Sequence, residues 1–398
     1  MSAGPRSSRK PAVKLWENHS MSSATIRWAT PADMPALIDF FKKAYGDDSI
    51  FSSAQFLQWY FGSESDSGHL LSIIAVTPAG HVAAHYGGIR SDLLLDNLSL
   101  PMVWGISAFT LPEHRGEGLG GTLVQFLMGK YDVFGVIGFA PETAQFYSEN
   151  GFHVFNRNRF HRHVAMLRPE GWELASTVGA DESRLREALG GSLVRSSPVN
   201  TTQVQVLARD AVPSFSFPLL AGIRLTMGRA PEFLQWRFRT FAHPRYEILQ
   251  WTSRKAEQEA ACVVARRERI EPTPQWITRI VDLYGQVDGV ELLLSFLNER
   301  CRERGDSFVD CSLFGSYYQT AMENCGFCPL RNDDAALLPQ VTHPAEPRPN
   351  HEYMGLFSQK YGKQIMAVPY EEVHFTRMSS DRDRLSKLDQ LHTPEEEH

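Results

Sequence analysis

The sequence predicts an α/β protein of two tandem domains, each a mixed, mostly antiparallel twisted sheet flanked by helices. Three observations predict it. Apolar segments of strand length alternate with amphipathic segments of helical period through most of the chain. A glycine-rich turn, His114-Arg115-Gly116-Glu117-Gly118-Leu119-Gly120-Gly121, joins a strand-like run at 103–111 to a helix-like run at 122–128. Finally, Phe56-Leu57-Gln58-Trp59 recurs as Phe233-Leu234-Gln235-Trp236, an offset of 233 − 56 = 177. Gly151-Phe152, just after Glu149-Asn150, likewise recurs as Gly326-Phe327 near Glu323-Asn324, an offset of 326 − 151 = 175. A tetrapeptide containing tryptophan that repeats at nearly the offset of a second landmark marks a duplicated domain.

At 398 residues either half is long enough to bury its own core. With 42% hydrophobic and 22% charged residues the composition is globular, and a net charge of −6 gives no general attraction to nucleic acid or anionic membrane. No apolar run approaches the ~20 residues that span a bilayer, and the N-terminus lacks the apolar core of a signal peptide. A soluble cytoplasmic protein with neither nucleic-acid nor membrane partners is expected. The cysteines, Cys262, Cys301, Cys311, Cys325 and Cys328, are odd in number and argue for reduced thiols. Cys325-x-x-Cys328 has no second ligand pair nearby, so no metal is expected.

Residues 1–23, rich in Ser, Arg, Lys and Pro, are expected to be a disordered extension, with Met21 a candidate natural start. Residues 24–29 form a strand. Thr30-Pro31-Ala32-Asp33 then starts a helix, with Thr30 as cap, Pro31 at the first position and Asp33 in the first turn. Met34, Leu37, Ile38, Phe40 and Phe41 follow at helical spacing. A helix at 54–61 precedes strands at 70–76 and 81–89, joined by a turn at Pro78-Ala79-Gly80, and 92–100 continues the meander. Beyond the glycine turn come a strand at 133–139, a helix at 142–150 and one or two closing strands within 152–167. These delimit a first domain at 24–168, a connecting region at 169–200 with a helix at 183–189, and a second copy at 201–340. A C-terminal segment, 341–398, carries ordered stretches at 353–368 and 373–378 and ends in disorder.

Glycines in the turn let the backbone reverse tightly and aim several N–H groups at one spot, while the following helix adds the positive end of its dipole. That combination cradles a phosphate. The nucleoside-triphosphate loop is excluded because Gly121, Thr122 and Leu123 stand where Gly-Lys-Ser/Thr is required. Gly116, Gly118 and Gly121 satisfy G-x-G-x-x-G, but Asp132 is a poor acidic ribose partner. Arg115, Gly118 and Gly120 also meet Arg-x-x-Gly-x-Gly, and this closely resembles the pyrophosphate loop of the GCN5-related N-acetyltransferase (GNAT) family. The segment Ala144-Gln145-Phe146-Tyr147-Ser148-Glu149-Asn150-Gly151-Phe152 is similar to the family's later helix, which carries a tyrosine a turn before a Gly-Phe pair. Pro141 departs from the asparagine the family often has there. The C-terminal region is more weakly similar to tandem GNAT-like proteins of surface-polysaccharide sugar synthesis.

The copies are not equivalent. Shifted by about 176, the glycine loop falls on Val290-Glu291-Leu292-Leu293-Leu294-Ser295-Phe296-Leu297, without glycine or basic residue, and Tyr147 falls on Ala321 or Met322. The second copy is therefore expected to be degenerate, serving as scaffold, acceptor-site wall or dimer surface.

The resemblance implies acetyl-CoA or another acyl-CoA as co-substrate, lying along Phe109-Thr110-Leu111. Its pyrophosphate would rest on the N–H groups of Gly116, Gly118, Gly120 and Gly121, with Arg115 shaping or contacting it and Glu117 and Leu119 completing the cofactor-binding loop. It also implies Tyr147 as the acid that protonates the departing thiolate. The acceptor amine must attack in neutral form, which at pH 7 costs a lysine-like amine about 3 pK units and a group near 8 only about 1. The strand before the loop carries Ser107 and no carboxylate. Either the acceptor has a low pKa, as an amino sugar does, or a base reaches in, for which His81, His85, Asp92 and Glu113 are candidates. The cluster Arg157, Arg159, Phe160, His161, Arg162 and His163 reads either as a surface for a phosphorylated acceptor or as a solvated strand face. The expected function is an N-acyltransferase acting on a small-molecule amine, a nucleotide-linked amino sugar foremost. An aminoacyl or longer-acyl transferase and a non-catalytic acyl-CoA binding module are the alternatives, and both monomer and homodimer fit.

Overall fold

A computed structural model describes residues 23–388 apart from 63–67, 97, 156–159, 197–200, 214–221, 242–244, 255–258, 271–272, 331, 340–352, 381–382 and 384–386. The expected disordered extension, Met21, Arg157, Arg159, the connector after Pro339 and the C-terminal end lie outside the described residues. The first half runs β1 (Thr25–Trp28), α1 (Met34–Tyr45), α2 (Ala54–Phe61), β2 (Ser72–Val76), β3 (Val82–Leu95), β4 (Leu98–Thr110), α3 (Leu119–Met128), β5 (Val133–Phe139), α4 (Pro141–Glu149), β6 (His153–Phe155) and β7 (Phe160–Met166). After α5 (Glu182–Ala188) the second half runs β8 (Val204–Val206), β9 (Leu225–Met227), α6 (Pro231–Gln235), β10 (Glu247–Thr252), β11 (Ala260–Arg269), β12 (Trp276–Gly285), α7 (Val287–Glu303), β13 (Phe308–Phe314), α8 (Gln319–Asn324) and β14 (Cys328–Leu330). The chain closes with β15 (Tyr353–Phe357), α9 (Gly362–Met366) and β16 (Val373–Thr376).

Local chemistry explains the element ends that matter. Before α1, the Asp33 carboxylate accepts from the Thr30 N–H at 2.8 Å and from Arg27 at 2.7 Å, so the first turn is held by Asp33 reaching back. The strands expected at 81–89 and 92–100 are instead parts of longer hairpin arms. β3 runs on to Leu95, and Asp96, at φ 52°, makes the reversal into β4.

The two halves share one plan. In the first, strands pair in the order β1-β2-β3-β4-β5-β15-β6; in the second, in the order β8-β10-β11-β12-β13-β7-β14. Each has one parallel pair at the same place, and the registers match: Met102 opposes Val133, and Thr278 opposes Val309, both at an offset of 176. The exchange of β7 and β15 is the departure from the sequence reading. Residues 152–167 were expected to close the first domain, but β7 lies between β13 and β14 of the second sheet, while β15 fills the matching slot between β5 and β6. A strand's own pattern does not state which sheet it joins. The halves are further tied by β9 and β16, which bridge β3 to β13.

Arg162 and His163 of the basic cluster are buried in β7, which overturns both readings at those two positions. Arg162 is 3% exposed and donates from Nε to Asp310 at 2.8 Å and to the carbonyls of Leu338 and Pro339. Against the cost of burial, Arg279, Arg162 and Arg377 hold Asp310 down at about 2. A buried carboxylate that meets several guanidinium groups keeps its charge, so Arg162 fixes β7 in the second sheet.

The repeated tetrapeptide forms the contact between copies. Trp59 on α2 and Trp236, just after α6, stack with ring centroids 5.3 Å apart. Each indole N–H donates to the other's main-chain carbonyl, at 3.3 and 3.1 Å. Such reciprocity is the mark of a two-fold, self-complementary interface, here made inside one chain.

Candidate active site

The glycine loop sits between β4 and α3, where the sequence placed it. Gly116 and Gly118 have φ of 88° and 74°, a left-handed backbone that side-chain-bearing residues resist, and Gly118 caps α3. A Cβ placed on Gly116, Gly118, Gly120 or Gly121 would meet no atom within 4 Å. The cradle is open. Arg115 folds back along it, its Nε donating to the Thr110 carbonyl at 3.4 Å and its guanidinium standing 5.6 Å from the Phe109 ring centroid. Glu117 is held by His114 Nδ1 at 2.9 Å, and Leu119 and Leu111 are buried beneath the loop.

Beside this loop the sheet parts. β4 and β5 pair in parallel from Met102 to Gly105 and Val133 to Val136, after which β4 continues to Thr110 without β5, while β5 stays paired with β15 on its other edge. Tyr86 packs over the parting point, since a Cβ on Gly105 would lie 2.7 Å from its hydroxyl. The Tyr86 and Tyr147 hydroxyls are 2.6 Å apart. Burial pushes Tyr147 up to about 12, against the Tyr86 hydrogen bond, so it keeps its proton near neutral pH. Tyr86, its partner, had no signal in the sequence, because alternation along β3 does not reveal what a residue meets across the sheet.

Ser107 lies on the unpaired stretch of β4 at φ 51°, a strained backbone for serine, and its buried hydroxyl has no hydrogen-bond partner among the described residues. His85 explains the kink. Its Nδ1–H donates to the Ser107 carbonyl at 3.0 Å and Nε2 accepts from the Ser72 hydroxyl at 2.8 Å. Burial lowers His85 to about 4, and it is 1% exposed, so it is a neutral strut with both nitrogens occupied. That geometry removes His85 as a base acting on an acceptor. Glu113 is exposed in the short turn beyond β4, and His81 is exposed in the turn between β2 and β3. Asp92 pairs with Pro101, six residues and roughly 20 Å of strand from Ser107. Of the four candidates only His85 reaches the parting of the sheet, and both of its ring nitrogens are already bonded there.

The folded chain can be set beside known structures. It is similar to a GCN5-related N-acetyltransferase from Anabaena variabilis ATCC 29413, with a TM-score of 0.51 and 12% identity over 84% of this chain and 72% of that one. It is also similar to Saccharomyces cerevisiae N-myristoyltransferase with bound myristoyl-CoA and inhibitors, with a TM-score of 0.50 and 10% identity over 88% and 81%. The fold is that of the GCN5-related N-acetyltransferases. By sequence, no family model and no curated protein matches the chain.

Within this GNAT fold the second copy has closed what the first keeps open. A single residue, Gln286, joins β12 to α7, where 111–118 join β4 to α3. A Cβ on Gly289, in the first turn of α7, would collide with Trp251 and Ala261. Tyr318 seals the strand end, accepting from the Gly285 N–H at 2.9 Å and donating to its carbonyl at 2.7 Å. The second copy therefore has neither the glycine loop nor an open first helical turn at this place.

Proposed function

We propose that the chain is an acyl-CoA dependent N-acyltransferase working through its first copy alone. The observation that carries this reading is the open glycine cradle at the mouth of a parted β4/β5 pair, with the Tyr147–Tyr86 hydroxyls at the parting. Loop N–H groups would hold the pyrophosphate, the unpaired edge of β4 would bond the pantetheine amides as an added strand does, and Tyr147 would protonate the departing thiolate. The acyl group is acetyl in this reading. The α1 side of β4 is packed with aromatic rings, Phe40 standing 6.3 Å and Tyr45 5.5 Å from Phe109, which leaves little room for a long chain.

The acceptor is a small amine of low pKa. With His85 locked and Glu113, His81 and Asp92 elsewhere, attack depends on an amine already largely neutral, as in an amino sugar; a nucleotide-linked one would bring its own phosphates. Calorimetric titration with acetyl-CoA tests the reading on wild type and Gly118→Trp. One site per chain, lost in the variant, is expected, followed by amine-dependent thiol release. Tight binding without thiol release across amino sugars and other amines would instead mark a binding module. Absence of any acyl-CoA binding would refute the transferase reading.

A further inference from the structure

The second copy holds a cavity of about 380 Å³ between β11 and the turn that follows α6. Among the described residues its wall carries Arg209, Arg239, Arg245, Arg266, Arg267 and Arg304 with one carboxylate, Glu247. Arg266 pairs with Asp383 at 2.6 Å and with Glu268 at 3.3 Å, and Arg267 pairs with Asp306 at 2.6 Å. Glu247 is shared between Arg304 at 3.1 Å and Arg300 at 2.6 Å, and the buried Nε of Arg304 has no hydrogen-bond partner among the described residues. Arg239 donates only to neutral acceptors, the main-chain carbonyls of Ala211, Tyr246 and Ala208, at 2.8, 3.1 and 3.3 Å. Burial pushes its guanidinium below the ordinary range and Arg209 adds to this, against the pull of Asp210.

Crowding like charges around a hollow costs free energy unless an anion completes the set. In the register of the repeat, Arg90 and Ser91 stand at the first-copy positions of Arg266 and Arg267, both at an offset of 176 (266 − 90 and 267 − 91), so Arg266 has a counterpart in the first copy and Arg267 does not.

We infer that this cavity binds a small phosphate-bearing anion, a pyrophosphate or a phosphorylated sugar, at a site separate from the glycine loop. Several guanidinium forks converging on one hollow suit the bidentate geometry and the charge density of a phosphate, and the volume suits a small metabolite. The inference stands apart from the acyl-transfer reading, because the test needs no acyl-CoA.

Calorimetry with pyrophosphate at low salt tests it on wild type, Gly118→Trp, Arg209→Glu and Arg239→Lys. The expected result is binding that survives Gly118→Trp and weakens by about tenfold or more in Arg209→Glu, an exposed position whose reversal leaves the core intact. Arg239→Lys, which keeps the charge and loses the fork, should weaken it as well. Citrate should bind more weakly than pyrophosphate, and equal binding would overturn the phosphate assignment. No binding to wild type, or binding lost in Gly118→Trp but kept in Arg209→Glu, would overturn the site itself.

Discussion

Ser107 shows how a single residue shapes the site. Its left-handed backbone breaks the regular rise of β4 where the sheet parts, and His85 holds the turned carbonyl. Because burial keeps His85 neutral, the unfolded chain takes up a proton near pH 6.5 that the folded chain refuses until about pH 4. Stability should fall as pH drops through that window, by about 3 kcal/mol from this residue. His374, lowered to about 3 by burial and by Arg229, adds to the loss. Urea titrations from neutral pH to pH 4 measure the slope, and His85→Gln should flatten it. Gly120 offers a cleaner block than Gly118, since it lies in helical backbone with open space around it. Gly120→Trp should abolish acetyl-CoA binding while leaving the thermal midpoint close to that of wild type. Tyr147→Phe keeps the ring packing and removes the proton, so kcat should fall by about 100-fold with KM for acyl-CoA unchanged. An unchanged kcat would make Tyr147 a packing residue.

Among elements, α3 and α7 set the two copies apart. Both helices follow the strand of a parallel pair, yet only α3 is preceded by a loop that leaves its first turn open. The helices bearing the repeated tetrapeptide serve another purpose. Trp59 and Trp236 each supply one hydrogen bond and one face of the stack, so either loss breaks the stack and that residue's own hydrogen bond. Trp236→Ala and Trp59→Ala should each cost about 2–4 kcal/mol. The double variant should cost less than their sum, because the two share one interaction. Denaturant midpoints for the three variants decide this. Equal additivity would place the stabilisation in separate contacts.

For the whole molecule, the exchange of β7 and β15 makes each sheet depend on a strand from the other half. Unfolding should therefore be one cooperative transition, with far-ultraviolet dichroism and tryptophan fluorescence coinciding in urea. Two separated transitions would show that the halves are independent. Removing residues 353–398 should leave β5 with an unpaired edge and abolish acyl-CoA binding, although no residue of the loop is touched. The sequence by itself determined the duplication, the glycine cradle and most elements, because a helix period, a tight turn and a repeated tetrapeptide are written in neighbouring residues. It also made the second copy's missing loop visible as missing glycines. Only the tertiary structure decided that His85 is a strut, that Tyr86 stands against Tyr147, and that Arg162 is buried against Asp310. It alone decided which sheet each closing strand completes and which arginines gather around a cavity. Those facts depend on contacts between residues as many as 223 positions apart, from Phe134 to Phe357, and nothing in a strand's own alternation states what it will meet.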